Sequence, residues 1–196
     1  MNTAASTPFL SDISALRRRA REHIERGAVT PSYAANKQTV LKILNEALAT
    51  ELVCVLRYRR HYFMAEGLLA EAIKEEFMNH AQEEQSHADR IAERIVQLGG
   101  EPDFNPTGLS SRSHAEYLEG LDIESMLTED LIAERIAIQS YGEMIAFLKD
   151  QDHTTRRLLE HILAVEEGHA EELASMLKHL TAGARRQKGG RAAARD

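Results

Sequence analysis

Two stretches of the chain carry a Glu and a His three residues apart. Glu84 precedes His87 in AQEEQSHADRIAERI (81–95), and Glu166 precedes His169 in LAVEEGHAEELASML (163–177). On a helix this spacing sets a carboxylate and an imidazole on one face, one turn apart. Carboxylate oxygen with imidazole nitrogen is a donor set for iron or manganese. In a chain rich in acids such a pair also arises by chance, as a solvated Glu–His contact. The weight of the two pairs therefore depends on which helix face each one occupies.

Apolar periodicity predicts four long helices, over about 36–66, 68–98, 123–151 and 154–180. The first carries a seam of Leu44, Leu48, Glu51, Val55, Tyr58 and Tyr62, whose alternating steps of four and three suit a bundle interior. In the second the seam is Phe77, His80, Glu84, His87, Ile91, Ile95 and Leu98. Leu127, Leu131, Glu134, Ile138, Tyr141, Ile145 and Leu148 form the third. The fourth has Leu159, Ile162, Glu166, His169, Leu173, Met176 and Leu180. Every seam holds its Glu near the middle.

The two halves are also copies. NEALATELVCVLRY, from Asn45, aligns without gaps on TEDLIAERIAIQSY, from Thr128, pairing Glu51 with Glu134 and Tyr58 with Tyr141. The two Glu-x-x-His segments align likewise. Between the halves lies a connection over 99–122 with two Pro and four Gly. Extended, it reaches roughly 80 Å, against about 45 Å for a 30-residue helix, so it can cross the whole bundle. A turn of helix is expected within it at His114–Leu118. The expected fold is all-α: a four-helix bundle with approximate two-fold symmetry and a long crossover between its second and third helices. Residues 1–36 form an extension, disordered over 1–10 and then a short amphipathic helix over 11–26, with Ser11 as cap and Gly27 as stop. Residues 37–180 form the bundle, and 181–196 a flexible basic tail.

Four carboxylates and two imidazoles thus project into one core at similar height. Burying unpaired carboxylates costs several kcal/mol each, and no Lys or Arg falls near them in the seams. Cations must supply the balance, and two divalent ions are the natural count. Each would take one His and one terminal Glu (Glu51 or Glu134), with Glu84 and Glu166 shared as bridges.

Bulk properties agree. The 196 residues carry a net charge of −7 and a single cysteine, Cys54, which excludes a disulfide framework or a four-cysteine metal site within the chain. No apolar run approaches the roughly 20 residues of a membrane span, and no signal pattern is recognisable, so a cytoplasmic location is expected. Charge is unevenly spread: net +2 over 1–36, −13 over 37–180 and +4 over 181–196. An acidic body suits cation handling, and basic ends suit an anionic partner such as DNA, or simply a solubilised surface.

Over about residues 37–180 the chain resembles the bacterioferritins, within the ferritin-like di-iron proteins. LNEALATEL resembles that family's first helix, EEQSHADRIAERI its second and EEGH its fourth. The resemblance implies that Glu51, Glu84, His87, Glu134, Glu166 and His169 are ferroxidase ligands for two iron ions per subunit. By the same resemblance Tyr58 matches a tyrosine that donates an electron beside the metals, a claim Tyr141 shares by symmetry. Three departures matter. Gln85 stands where the family has its haem-ligating Met, so no haem is expected. Asn79 stands where an inner-surface His helps load the mineral core, although His80 and Glu83 are near. The basic tail replaces the fifth helix that lines a channel of 24-subunit shells.

The expected function is oxidation of Fe(II) by O₂ or H₂O₂ for iron storage or detoxification, in a homo-oligomer of at least two chains. Two other readings stand beside it: a DNA-protecting mini-ferritin of the Dps type gripping phosphates with basic ends, and another di-metal oxidoreductase such as a manganese catalase or a rubrerythrin-like peroxidase.

Overall fold

The structure, a computed structural model, describes residues 12–67 and 70–193, with side chains as far as 182. Among the described residues six helices follow in order: α1 (Ile13–Arg19), α2 (Lys37–Met64), α3 (Ala70–Gln97), α4 (Leu109–Arg112), α5 (Ile123–Leu148) and α6 (His153–Ala193), with a 3₁₀ turn at Ile24–Arg26. The long helices α2, α3, α5 and α6 make the bundle. Helix α2 lies along α3 and α5 along α6, and the two pairs meet through α2 against α5 and α3 against α6.

Local chemistry sets the helix starts. Asn36 accepts a hydrogen bond from the Thr39 amide at 3.1 Å and caps α2. Asp122 and Ser125 form a reciprocal capping box on α5. Asp152, ahead of α6, accepts from the Thr155 amide and hydroxyl at 2.9 and 2.6 Å. The same carboxylate receives Arg94 of α3 at 2.9 Å and the Tyr33 hydroxyl at 2.8 Å, tying the N-terminal extension and two helices to one acid.

Two apolar clusters fill the bundle. One gathers Leu44, Leu48, Ile91, Ile95, Tyr141, Leu148, Leu159 and Ile162. The other gathers Tyr58, Phe77, Ala81, Leu127, Ala133 and Leu173. In each long helix the seam Glu falls between the residues that enter the first cluster and those that enter the second. The carboxylates therefore form a polar layer closed off at both ends by packed side chains.

The crossover does traverse the bundle along α2. The Asp103 amide donates to the Asn45 side chain at 2.8 Å, the His114 amide to the Thr50 hydroxyl at 2.9 Å, and Arg60 to the Glu119 carbonyl at 2.6 Å. Those three anchors span about four turns of α2. Its short helix is α4, at Leu109–Arg112. No helical turn forms at His114–Leu118, because the amide of His114 and the carbonyls of Glu116 and Glu119 are bonded to α2 instead of to one another.

Other boundaries also differ from expectation. Helix α1 is capped by Asp12, whose carboxylate accepts from the Ser14 amide, and it ends at Arg19; the expected cap Ser11 and residues 1–10 lie outside the described residues. Leu131, Ile138, Ile145, Tyr62, Met176 and Leu180 are only half-buried, at the edge of their seams. Helix α6 continues to Ala193, so Leu180 ends the apolar seam and not the helix. The segment TAGARRQKGGRAA beyond it has many good helix formers despite three Gly.

Beside the α2 seam the core also holds an arginine: Arg57 is 1% exposed, and its Nε donates to Asp130 Oδ1 at 2.7 Å. It also donates to the Glu116 carbonyl at 2.9 Å, while His61 bridges Asp130 Oδ2 (2.8 Å) and the Glu119 carbonyl (3.0 Å). Asp130 absorbs this charge, so Arg57 joins crossover to bundle and leaves the four seam carboxylates unneutralised. Removing one partner strands the other in the core. Asp130→Ala is expected to cost about 3–5 kcal/mol in denaturant unfolding, and the double change Arg57→Met with Asp130→Leu distinctly less. A double variant as unstable as the single one would contradict the stranded-charge explanation.

Candidate metal centre

Glu51 of α2, Glu84 and His87 of α3, Glu134 of α5, and Glu166 and His169 of α6 converge in the polar layer. The carboxylates are 1% exposed and the imidazoles 3%. His87 Nδ1 lies 3.0 Å from Glu166 Oε1, 3.3 Å from Glu51 Oε2 and 3.6 Å from Glu84 Oε2. His169 Nδ1 lies 3.3 Å from Glu166 Oε2, 3.5 Å from Glu84 Oε1 and 4.0 Å from Glu134 Oε2. Glu84 and Glu166 thus each turn one oxygen to one imidazole and one to the other. Two sets of four donors result, Glu51–Glu84–His87–Glu166 and Glu84–Glu134–Glu166–His169, with Glu84 and Glu166 common to both.

The donors facing the centre lack ordinary partners. Glu51 Oε2, Glu84 Oε1, both oxygens of Glu166, and Nδ1 of His87 and His169 are buried without a hydrogen bond. Orphaned buried polar atoms are rare and costly in native proteins. Here they all point at one another, an arrangement that suits cations held between them. The residues fit a pair of divalent ions.

Outer contacts hold these side chains in place. The Tyr141 hydroxyl donates to Glu51 Oε1, and the Tyr58 hydroxyl donates to Glu134 Oε1. Each tyrosine grips the outward oxygen of a terminal Glu and leaves the inward one free. His169 Nε2 donates to Glu83 Oε2 at 2.6 Å, which fixes the ring and turns Nδ1 inward. Burial and the neighbouring carboxylate push both phenols well above their usual range.

Beyond the six, the structure adds His80. It is 1% exposed, its ring stacks on that of His169 at 4.0 Å, and its Nδ1 meets the Tyr58 hydroxyl at 3.2 Å. Its seam position, one turn before Glu84, was readable in the sequence; its contacts were not. Burial and the charge of His169 lower its pKa.

Electrostatics make the centre pH-sensitive. Burial and the Glu84 charge raise the Glu51 carboxyl, and burial with Glu84 and Glu166 raises Glu134. For the imidazoles burial acts downward, but the surrounding carboxylates prevail and lift His87 to about 12 and His169 to about 11. A carboxyl with a raised folded pKa costs stability once pH exceeds its unfolded value of about 4.3. A raised imidazole stabilises fully below about 6.5, and that contribution is lost as pH climbs toward the folded value. Both signs agree. The melting temperature of chelator-treated protein should fall between about pH 6 and pH 9, and saturating Mn(II) should remove most of that fall. Equal slopes with and without the cation would show that the cluster does not hold one.

Comparison with known proteins agrees with this geometry. The model of the ferritin-like domain matches residues 41–182. Bacterioferritin from Desulfovibrio desulfuricans is 28% identical over 148 residues, covering 74% of this chain and 79% of that protein. A nutrient stress-induced DNA-binding protein from Synechococcus is 31% identical over 137 residues, 68% of this chain and 78% of its own length. Among solved structures, a dodecameric thioferritin, the bacterioferritin-related protein of Bacteroides fragilis, superposes with a TM-score of 0.73 at 32% identity, covering 80% of this chain and 92% of that one. Among the described residues no helix is long and apolar enough to cross a membrane. With its duplicated helix pairs, its crossover and its paired Glu-x-x-His helices, the chain belongs to the ferritin-like di-iron family, and bacterioferritins are among its relatives.

Proposed function

We propose that the protein is a ferroxidase that oxidises Fe(II) to Fe(III) for iron storage or detoxification. The observation that carries this reading is the pair of four-donor sets sharing Glu84 and Glu166, with their inward atoms unbonded. One Fe(II) would be held by Glu51 and His87, a second by Glu134 and His169, and both by the two bridging carboxylates. As substrate the pair gives up two electrons, one from each ion. O₂ with two protons takes them to become H₂O₂, or H₂O₂ with two protons takes them to become two waters. Carboxylate ligands favour the Fe(III) product, being hard anionic donors. Tyr58, whose hydroxyl donates to Glu134, lies beside the centre where the resemblance expects an electron-donating tyrosine, and Tyr141 holds the equivalent place beside Glu51. The same ligands accept Mn(II), which supports a manganese-catalase-like or peroxidase reading in a cell rich in that metal.

No haem is proposed. Gln85 is exposed and its amide donates to Asp89 at 2.9 Å, so this position offers no thioether to an iron porphyrin. A homo-oligomer of at least two chains is proposed, supported by the dodecameric neighbour of Bacteroides fragilis. The Synechococcus relative, a DNA-binding protein, favours a second reading in which the basic segments also engage phosphates.

Purified protein should bind two iron ions per chain, oxidise Fe(II), and show no Soret band. Glu84→Ala or Glu166→Ala should remove a bridge and lower the rate more than about 100-fold, beyond the loss expected for a supporting partner. Unchanged stoichiometry and rate in those variants would exclude this centre. Sedimentation should give at least a dimer. If the DNA reading holds, deleting residues 181–196 should weaken DNA binding and flatten its salt dependence; full-length protein without salt-sensitive binding would end that reading.

A further inference from the structure

The N-terminal extension, which precedes the ferritin-like domain, leaves its apolar side chains in water. Ile13, Leu16 and Ile24 are exposed, and neither α1 nor the 3₁₀ turn holds a buried residue. Over 12–37 it carries Arg17, Arg18, Arg19, Arg21, Arg26 and Lys37 against three acids. Where it meets the bundle a cavity of about 460 Å³ opens, lined by Glu25, Arg26, Val29, Lys37, Leu98 and Gly99. Leu98 is buried and Val29 half-buried, while Arg26 is exposed. The cavity is therefore apolar within and carries cations at its edge.

A complementary surface stands at the other end of the bundle. The crossover closes with EYLEGLDIE (116–124), which has four acids and no Lys or Arg, and exposes Tyr117, Leu118 and Leu121. Leu121 is 99% exposed, yet the backbone that carries it is pinned. Arg57 and Arg60 donate to the carbonyls of Glu116 and Glu119 at 2.9 and 2.6 Å, and the Leu121 amide donates to Ser125 Oγ at 2.8 Å. Gly120 has φ +61°, and a Cβ there would lie 2.7 Å from Met126 Cγ, so the turn sits tight on α5 with Leu121 outside it. A side chain presented by a fixed backbone loses little further freedom on binding.

These two surfaces cannot meet within one chain. Lys37 opens α2, whereas Arg57 and Arg60, which hold the 116–124 segment, lie near its end, about 30–35 Å away at the helical rise. Two copies laid antiparallel along α2 bring the start of each helix to the end of the other. One two-fold axis then makes both contacts, each surface meeting its complement on the second copy. Between the two ends α2 exposes Leu56 and Phe63, apolar area that the same pairing covers.

We propose that the 116–124 segment of a second copy of this chain seats on the N-terminal extension, with Leu121 in the cavity and its flanking carboxylates against Arg26 and Lys37. Opposite charge steers the encounter and fixes its register, while burial of Leu121 against Val29 and Leu98 supplies affinity. Glu119 already receives Arg60 at 3.0 Å and Asp122 caps α5, which leaves Glu116 and Glu124 to face the cations. Glu25, also at the edge, is offset by Arg26, whose Nε lies 3.9 Å from its carboxylate. The contact rests on the homo-oligomer proposed above, gives it a geometry, and is independent of the ferroxidase reading.

Full-length protein carrying Val29→Cys with Leu121→Cys is oxidised mildly and run on a non-reducing gel. A covalent dimer should form, and neither single variant should give one, since the native Cys54 is buried. No covalent dimer, or as much from Leu121→Cys alone, would overturn the contact, and a ladder of higher multimers would overturn the antiparallel pairing. In sedimentation, Leu121→Asp and the variant Arg26→Glu with Lys37→Glu should each weaken self-association about tenfold or more, with the melting curve of the folded chain retained. Association as tight as wild type in both would overturn the contact and leave the homo-oligomer standing. A wild-type monomer would overturn the contact and the homo-oligomer together, without bearing on the metal centre.

Discussion

Four carboxylates at 1% exposure in one layer of a helical bundle are the constraint on which the rest of this structure depends. Like charges at such separations repel strongly in a medium that screens them poorly. Neither burial nor packing compensates. The two imidazoles reduce the negative charge but leave their Nδ1 atoms without hydrogen bonds, so the layer is geometrically prepared and electrostatically incomplete. Divalent cations would complete it, and the donor types suit hard and borderline ions of the iron and manganese kind. The same incompleteness explains why the layer is closed off above and below by apolar clusters, which exclude water and hold the donors at fixed spacing.

Precision at the centre comes from contacts on the outer side of its donor groups. Tyr141 and Tyr58 each take one oxygen of a terminal Glu, and Glu83 takes the outer nitrogen of His169. These bonds cross between α2 and α5 and between α3 and α6, so they also join the helix pairs around the layer. Ligand orientation and bundle assembly are therefore served by the same hydrogen bonds. Arg57, Asp130 and His61 act in parallel one layer away, where a fully paired buried charge set binds the crossover to α2 and α5. Its self-sufficiency keeps the guanidinium from neutralising the seam carboxylates, which is what leaves them free for cations.

Symmetry in this fold is selective. The repeated Glu and Glu-x-x-His positions give the centre two equivalent halves, as a pair of like ions would require. Outside it the halves diverge. Position 80 is an imidazole reaching a tyrosine and a surface acid, while its counterpart Ile162 is sealed in the apolar cluster.

Much of this was legible in the sequence, because helical periodicity is a short-range property. A seam stepping by three and four fixes which residues of one helix share a face, and four such seams with a Glu at mid-length fix the composition of the shared core. The six converging donors, the four long helices and the crossing connection all follow from it. Arg57 and Asp130 were not legible, since each lies beside its seam and their pairing depends on the rotation of α2 against α5. The site of the crossover's helical turn depended on which of its amides found acceptors on α2. The stacking of His80 on His169, and the way Glu84 and Glu166 divide their oxygens between two imidazoles, are likewise distances between helices. Periodicity along one helix says which groups face inward; only the packed bundle decides which of them meet.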